Sequence, residues 1–284
     1  MSSHTATLAG CGAILLWSFL ALLSRAAAGV PPLQLTAMAF AVSGAAGLAW
    51  LASTGRLAVL RQSPGAWLHG VGGLFGFHAL YFLSLAWAPA ASANLINYTW
   101  PLLIVLLSAP VLGMRLGLRQ ALGAGVALAG CALLLGQGAA FPPGAALGYA
   151  AAVGSAFVWA LYSVLARRFR TVPSAALAGF CAGTAALAGL AHVVTEPTVL
   201  PDAAGCAAAL ALGLGPVGAA FVLWDLGMKH SDPRLLGTLA FATPVLSTLL
   251  LAVSGLASLT RSTLLAVVLV AAGGWLAARP GKTG

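Results

Sequence analysis

The chain has 284 residues, 61% of them hydrophobic and 6% charged, with a net charge of +9. No soluble fold has enough interior to hide that much apolar side chain, so a soluble enzyme or binding domain is excluded in favour of an integral membrane protein. Apolar runs recur from end to end, leaving no room for a soluble module, a low-complexity tail or a long linker.

About 20 apolar residues suffice to cross a bilayer. The first run, from about 6 to 28, follows a segment without Lys or Arg and is too long for the apolar core of a signal peptide, so it reads as an uncleaved span. Breaks at Gly, Pro and charged residues then predict spans at about 33 to 54, 65 to 87, 90 to 112, 118 to 136, 145 to 167, 173 to 194, 204 to 228, 234 to 255 and 262 to 279. Lys and Arg accumulate in cytoplasmic loops. With the N-terminus inside, Arg56, Arg61, Arg115, Arg119, Arg167, Arg168, Arg170, Lys229, Arg234, Arg279 and Lys282 fall on one side, which is 11 of the 13 basic residues. Arg25 and Arg261 fall on the other, with Glu196 and Asp202. The expectation is ten helices with both termini cytoplasmic. The positive charge reports topology, and no nucleic-acid partner is implied.

Cys11, Cys131, Cys181 and Cys206 stand singly in apolar segments and read as small packing residues. No spacing suggests a metal or a cofactor. Motifs of an intramembrane enzyme are missing too: there is no His-Glu-x-x-His, no Gly-x-Ser-x-Gly and no pair of intramembrane aspartates.

The chain also repeats itself. Trp17 to Arg25 (WSFLALLSR) matches Trp159 to Arg167 (WALYSVLAR) at a shift of 142, which also sets Ala46 to Ala49 on Ala188 to Ala191. Pro101-Leu102-Leu103 matches Pro244-Val245-Leu246 at a shift of 143. Two five-helix halves are implied, residues 1–138 and 139–284. Five is odd, so the second half enters the membrane from the opposite side and the repeats are inverted, a plan common in transporters.

The stretch AWAPAASANLINYTWPLLIVLLSAPVLG, from Ala86 to Gly113, and its partner from Lys229 to Gly255 resemble the repeat signature of the drug/metabolite transporter superfamily, EamA-type branch. Within it, Asn97-Tyr98-Thr99-Trp100-Pro101 is similar to the Asn-Tyr-x-Trp-Pro segment of the YddG-type aromatic amino acid exporters. The resemblance implies an all-α integral membrane fold, with ten helices in two inverted five-helix repeats around a central cavity. It further implies export of aromatic and some other amino acids across the bacterial inner membrane. The chain departs from many EamA members in one place: a Gly-Glu pair is replaced by Gly113-Met114 after the fourth span, and the ninth lacks the acid.

The residues themselves outline a binding site. Trp17, Trp100 and Trp159 fall near mid-depth of their spans, away from the interfacial belts where tryptophan usually sits. At the same level lie His78 and Tyr81 in span 3, Asn97 and Tyr98 in span 4, and Tyr162 in span 6. Helical steps of three and four put His78 with Tyr81, and Ser155 with Trp159 and Tyr162, on single faces. Indole N–H and phenol O–H groups are costly in hydrocarbon, so these faces point into protein or a watery cavity. These eight aromatic and polar residues are the predicted substrate-binding set. Trp224, which aligns with Tyr81 in the repeat, is a secondary candidate. Trp50, Trp67, Trp87 and Trp275 near span ends are assigned to the interfacial belt.

The acids limit mechanism. Asp225 is the one carboxylate inside a span, four residues before Lys229, a spacing that favours a local ion pair. A cation antiporter would need a deep acid, which argues for a zwitterionic ligand with a flat apolar body; a nucleoside or drug remains the alternative. Pro101 and Pro244 at matched depth, and Gly215-Pro216 in span 8, are the predicted bending or gating points. Gly72/Gly76 and Gly179/Gly183 are the predicted small-residue packing faces. Partners implied are a small-molecule substrate and the surrounding lipids; the sequence leaves the oligomeric state open.

Overall fold

A computed structural model describes residues 1–278; Arg279 and Lys282, expected at the basic end, lie outside the described residues. Ten helices long and apolar enough to cross a membrane run through it: Ser3–Ala26, Pro32–Ser53, Pro64–Trp87, Ala90–Leu112, Leu118–Leu135, Pro143–Leu165, Ser174–Thr195, Ala203–His230, Pro233–Val253 and Arg261–Ala278, numbered here spans 1 to 10. Their starts carry local signals. The side chains of Ser2, Ser63, Asp202 and Asp232 accept hydrogen bonds from backbone N–H groups of the first turns of spans 1, 3, 8 and 9. Proline occupies the first turn of spans 2, 3 and 9, where its missing N–H costs nothing. Span 4 stops at Gly113, whose φ of 69° is left-handed backbone that a side chain would strain.

The packing has the symmetry expected of an inverted repeat. The largest interfaces join span 5 to span 10, 2 to 7, 3 to 6, and 1 to 8, and span 4 also packs on span 9. Exchanging each span for its counterpart five places on maps this set onto itself. Spans 5 and 10 approach through glycine on both sides: a Cβ on Gly123 would stand 2.6 Å from the Gly273 carbonyl oxygen, and one on Gly273 would stand 2.5 Å from that of Gly123. Gly179 and Gly183 do seat neighbouring side chains closely. Gly72 and Gly76 do not, since their nearest neighbours are ordinary contacts at 3.5 Å. On span 3 the close approaches are instead at Gly70 and Gly73, which face the rings of Phe180 and Tyr162.

Four spans are irregular, and three breaks lie at predicted positions. Span 4 is interrupted between Asn97 and Trp100, directly before Pro101, and span 9 between Leu239 and Ala242, directly before Pro244. Span 8 holds a π-helical stretch, Gly213–Ala219, containing Gly215 and Pro216. Span 1 breaks at Phe19, for which the sequence carried no Gly or Pro signal.

The arginine-bearing loops gather at one end and are tied together there. Arg167 donates to the Ser231 carbonyl at 2.8 Å, the Thr7 and Ser231 hydroxyls meet at 2.6 Å, and Arg168 reaches the Val111 carbonyl through Nε at 3.1 Å. At the other end one carboxylate serves two helices. Glu196 accepts from the backbone N–H of Leu33 at 3.0 Å and of Gln34 at 3.1 Å, and pairs with His192 Nδ1 at 2.9 Å.

Candidate substrate site

At the centre of the bundle three indoles stand nearly perpendicular to one another. Trp17 and Trp100 are 6.4 Å apart at 87°, Trp17 and Trp159 5.6 Å at 72°, and Trp100 and Trp159 6.2 Å at 88°. Each is edge to face with the others, the arrangement that ring quadrupoles favour. The trio packs ring on ring as one cage, closed in this conformation, drawn from spans 1, 4 and 6 and hence from both halves of the chain.

Two further rings complete it. Trp224 lies 5.0 Å from Trp17 and 6.0 Å from Trp100, and Phe221 lies 6.1 Å from Trp17 and 5.7 Å from Trp159. Trp224 is 1% exposed, so the secondary candidate is a full member of the cage. A signal for both was present: the shift of 143 that sets Pro101 on Pro244 also sets His78 on Phe221 and Tyr81 on Trp224.

Four of the polar handles find partners within the protein, as indole and hydroxyl groups in a membrane interior require. Trp17 Nε1 donates to the Pro216 carbonyl at 2.9 Å, which joins span 1 to the irregular stretch of span 8. Trp224 Nε1 donates to Ser163 Oγ at 3.0 Å. Asn97 Oδ1, next to the break in span 4, accepts from Ser155 Oγ of span 6 at 2.8 Å. Tyr81 donates to Asn94 Oδ1 at 2.5 Å. These bonds hold the broken helices against their neighbours without placing a charge in the cage.

The predicted residues therefore divide. Trp17, Trp100 and Trp159 form the cage, and Tyr162 adjoins it with its ring 5.3 Å from Trp159. His78 and Tyr81 stand one ring back from it, behind Phe77, which lies 5.1 Å from Trp159, 5.0 Å from His78 and 6.0 Å from Tyr81. His78 Nδ1 sits 2.7 Å from the Leu74 carbonyl of its own helix, and its ring meets Phe40 at 5.1 Å. Asn97 braces the wall. Tyr98 sits at the helix break, its N–H bonded to the Asn94 carbonyl at 2.9 Å. Trp67, assigned to the belt, packs on Phe180 at 5.1 Å, whereas Trp50, Trp87 and Trp275 are exposed as expected.

From Tyr162 a column of stacked rings runs toward the arginine-rich end. Tyr162 stacks on His69 at 4.7 Å and 20°, and His69 on Phe169 at 4.6 Å and 14°. The expected ion pair lies beside it, Lys229 Nζ being 2.6 Å from Asp225 Oδ2. No three His, Cys, Asp or Glu side chains converge to hold a metal among the described residues.

The family described as EamA-like transporters matches this chain twice, over residues 4–136 and 146–279. The "Aromatic amino acid exporter YddG" of Ancylobacter novellus is 50% identical over 277 residues, covering 96% of each chain. Its namesake in Salmonella typhimurium is 28% identical over 98% of this chain and 99% of its own length. A solved crystal structure superposes with a TM-score of 0.94 at 49% identity, covering 98% of both chains. Two matched halves, ten spans and a pairing of helices that maps onto itself make the chain a member of the EamA-like transporter family.

Proposed function

We propose that this transporter exports aromatic amino acids, and other neutral amino acids less well, from the cytoplasm through the tryptophan cage by alternating access. The observation that carries the reading is the cage itself: three mutually near-perpendicular indoles at the junction of the two halves, with the N–H groups of Trp17 and the adjoining Trp224 bonded to protein. A flat side chain gains about 0.5–1.5 kcal/mol per aromatic pair beyond area burial, which ranks substrates without excluding aliphatic ones. The names of the relatives at 50% and 28% identity point to the same cargo.

Orientation follows from charge. The arginine-rich end faces the cytoplasm of a bacterial inner membrane and both termini lie inside. The halves divide near residue 138, and the breaks before Pro101 and Pro244 and the Gly215-Pro216 stretch are the bending points. Trp17, Trp100, Trp159 and Tyr162 contact the side chain of the substrate, while His78, Tyr81, Asn97 and Tyr98 shape the wall behind it.

Counterflow of labelled tryptophan into liposomes containing the purified protein tests this reading, with Trp17→Ala, Trp100→Ala and Trp159→Ala alongside. Saturable uptake is expected, weakened at least about fivefold in each variant, since loss of one ring contact removes on the order of 1 kcal/mol. No uptake of any amino acid by the folded protein would reassign it to another planar solute such as a nucleoside.

A further inference from the structure

We propose that Asp225 and Lys229, with the ring column beside them, form an access subsite that reads the two charged ends of an amino acid before its side chain enters the tryptophan cage. The inference rests on the proposed function and adds a site to it. Both residues are buried at the arginine-rich end and line a small cavity of about 10 Å³ together with His69, Tyr162, Phe169 and Ser174. That volume is at the lower limit for a single water, so the subsite is closed in this conformation.

What closes it is informative. Asp225 Oδ2 accepts from the Ser174 hydroxyl at 2.5 Å, and Lys229 Nζ donates to the Val172 carbonyl at 2.8 Å. Val172 belongs to the segment that links spans 6 and 7, and Ser174 is the first residue of span 7. A hydroxyl donor on the carboxylate and a carbonyl acceptor on the ammonium are the same kinds of contact that a ligand's α-ammonium and α-carboxylate would make. A zwitterion can therefore replace Ser174 and Val172 contact for contact, leaving each buried charge paired throughout. The Asp225–Lys229 bond takes one N–H of Lys229 and the Val172 carbonyl a second, so a ligand carboxylate has a third to address.

Stability alone is a weak reason for such a pair, because desolvation offsets most of the attraction and an apolar replacement is often neutral. The neighbouring rings give it a further use. The side chain of an aromatic amino acid held at Asp225 and Lys229 would lie along Phe169, His69 and Tyr162, and Tyr162 touches Trp159 of the cage at 5.3 Å. The cage carries no charge, so the reading of the ammonium and carboxylate falls to this end of the path.

The test uses the full-length protein in liposomes, with competition against labelled tryptophan by tryptamine, which lacks the carboxylate, and by indole-3-propionate, which lacks the ammonium. Wild-type protein is expected to take each competitor at least tenfold more weakly than unlabelled tryptophan. Lys229→Gln is expected to raise KM for tryptophan at least tenfold and to abolish the preference over tryptamine. Asp225→Asn should do the same for indole-3-propionate. Equal competition by all three compounds on the wild type would overturn the subsite even if neither variant folds. So would variants that lower kcat while keeping KM and both preferences, as a purely mechanical latch requires. In either case saturable tryptophan counterflow leaves the proposed function standing, whereas absent counterflow by the wild type removes both.

Discussion

Trp17 shows why depth was readable from the sequence and direction was not. Its distance from both span ends marked it as a mid-membrane indole, but only the fold shows its edge on Trp159 and its N–H on the Pro216 carbonyl. Phe221 went unread because phenylalanine is unremarkable in a lipid-facing span, and composition does not distinguish lipid from protein as a neighbour. Trp67 shows the same limit: its depth near a span end was readable, but its packing on Phe180 was not. The Asp225–Lys229 pair was legible because helical spacing alone brings residues four apart together. Gly73 yields a prediction at this scale. A Cβ there would collide with the Tyr162 ring, whereas one on Gly72 would only touch Leu68 at 3.5 Å. Gly73→Ala is therefore expected to cost about 1–3 kcal/mol by overpacking and to weaken tryptophan transport by displacing Tyr162. Gly72→Ala should leave both unchanged, as thermal unfolding in detergent and counterflow would report.

At the scale of single helices, proline positions announced the breaks in spans 4 and 9, because a residue without an N–H cannot complete the helical ladder. The break in span 1 at Phe19 had no such cue. If the paired breaks are hinges, Pro101→Ala and Pro244→Ala should slow turnover several-fold while tryptophan still binds with nearly native affinity. Equilibrium binding measured beside counterflow separates the two effects, and unchanged turnover would reduce the prolines to packing. The start of span 9 gives a prediction with pH. Burial pushes the Asp232 carboxyl up, but hydrogen bonds and charge from Arg234, whose Nη2 lies 2.7 Å away, outweigh it and hold the carboxyl below its ordinary value of 3.8. The stabilising contribution is thus fully present above pH 3.8 and is lost as pH falls through the lower, folded value. Asp232→Asn should flatten the acid side of the curve of Tm against pH.

For the whole molecule, charge distribution and internal repetition carried the expectation of ten spans and two inverted halves. Both are properties of long stretches and survive errors of a few residues at each boundary. The ties among the arginine-bearing loops, such as Arg167 to Ser231, place those loops at one end of the bundle. Cytoplasmic placement of that end predicts that a cysteine replacing Arg170 is labelled by a membrane-impermeant reagent only in opened cells. One replacing Asp202 should be labelled from outside in intact cells, and the reverse pattern would invert the topology.

The interfaces joining span 1 to 8, 2 to 7, 3 to 6 and 5 to 10 all cross between the two halves, as does the smaller one between spans 4 and 9. Neither half is thus a folding unit. During synthesis the first five helices wait in the bilayer with their principal faces against lipid, and span 3 is the first to be relieved, when span 6 emerges. Span 5 waits until the end of the chain for the glycine face of span 10. The cage assembles in the same sequence, since Trp17 and Trp100 are inserted before Trp159 and Trp224 exist to meet them. The cage is complete only when span 8 has emerged, and spans 9 and 10 then close around it.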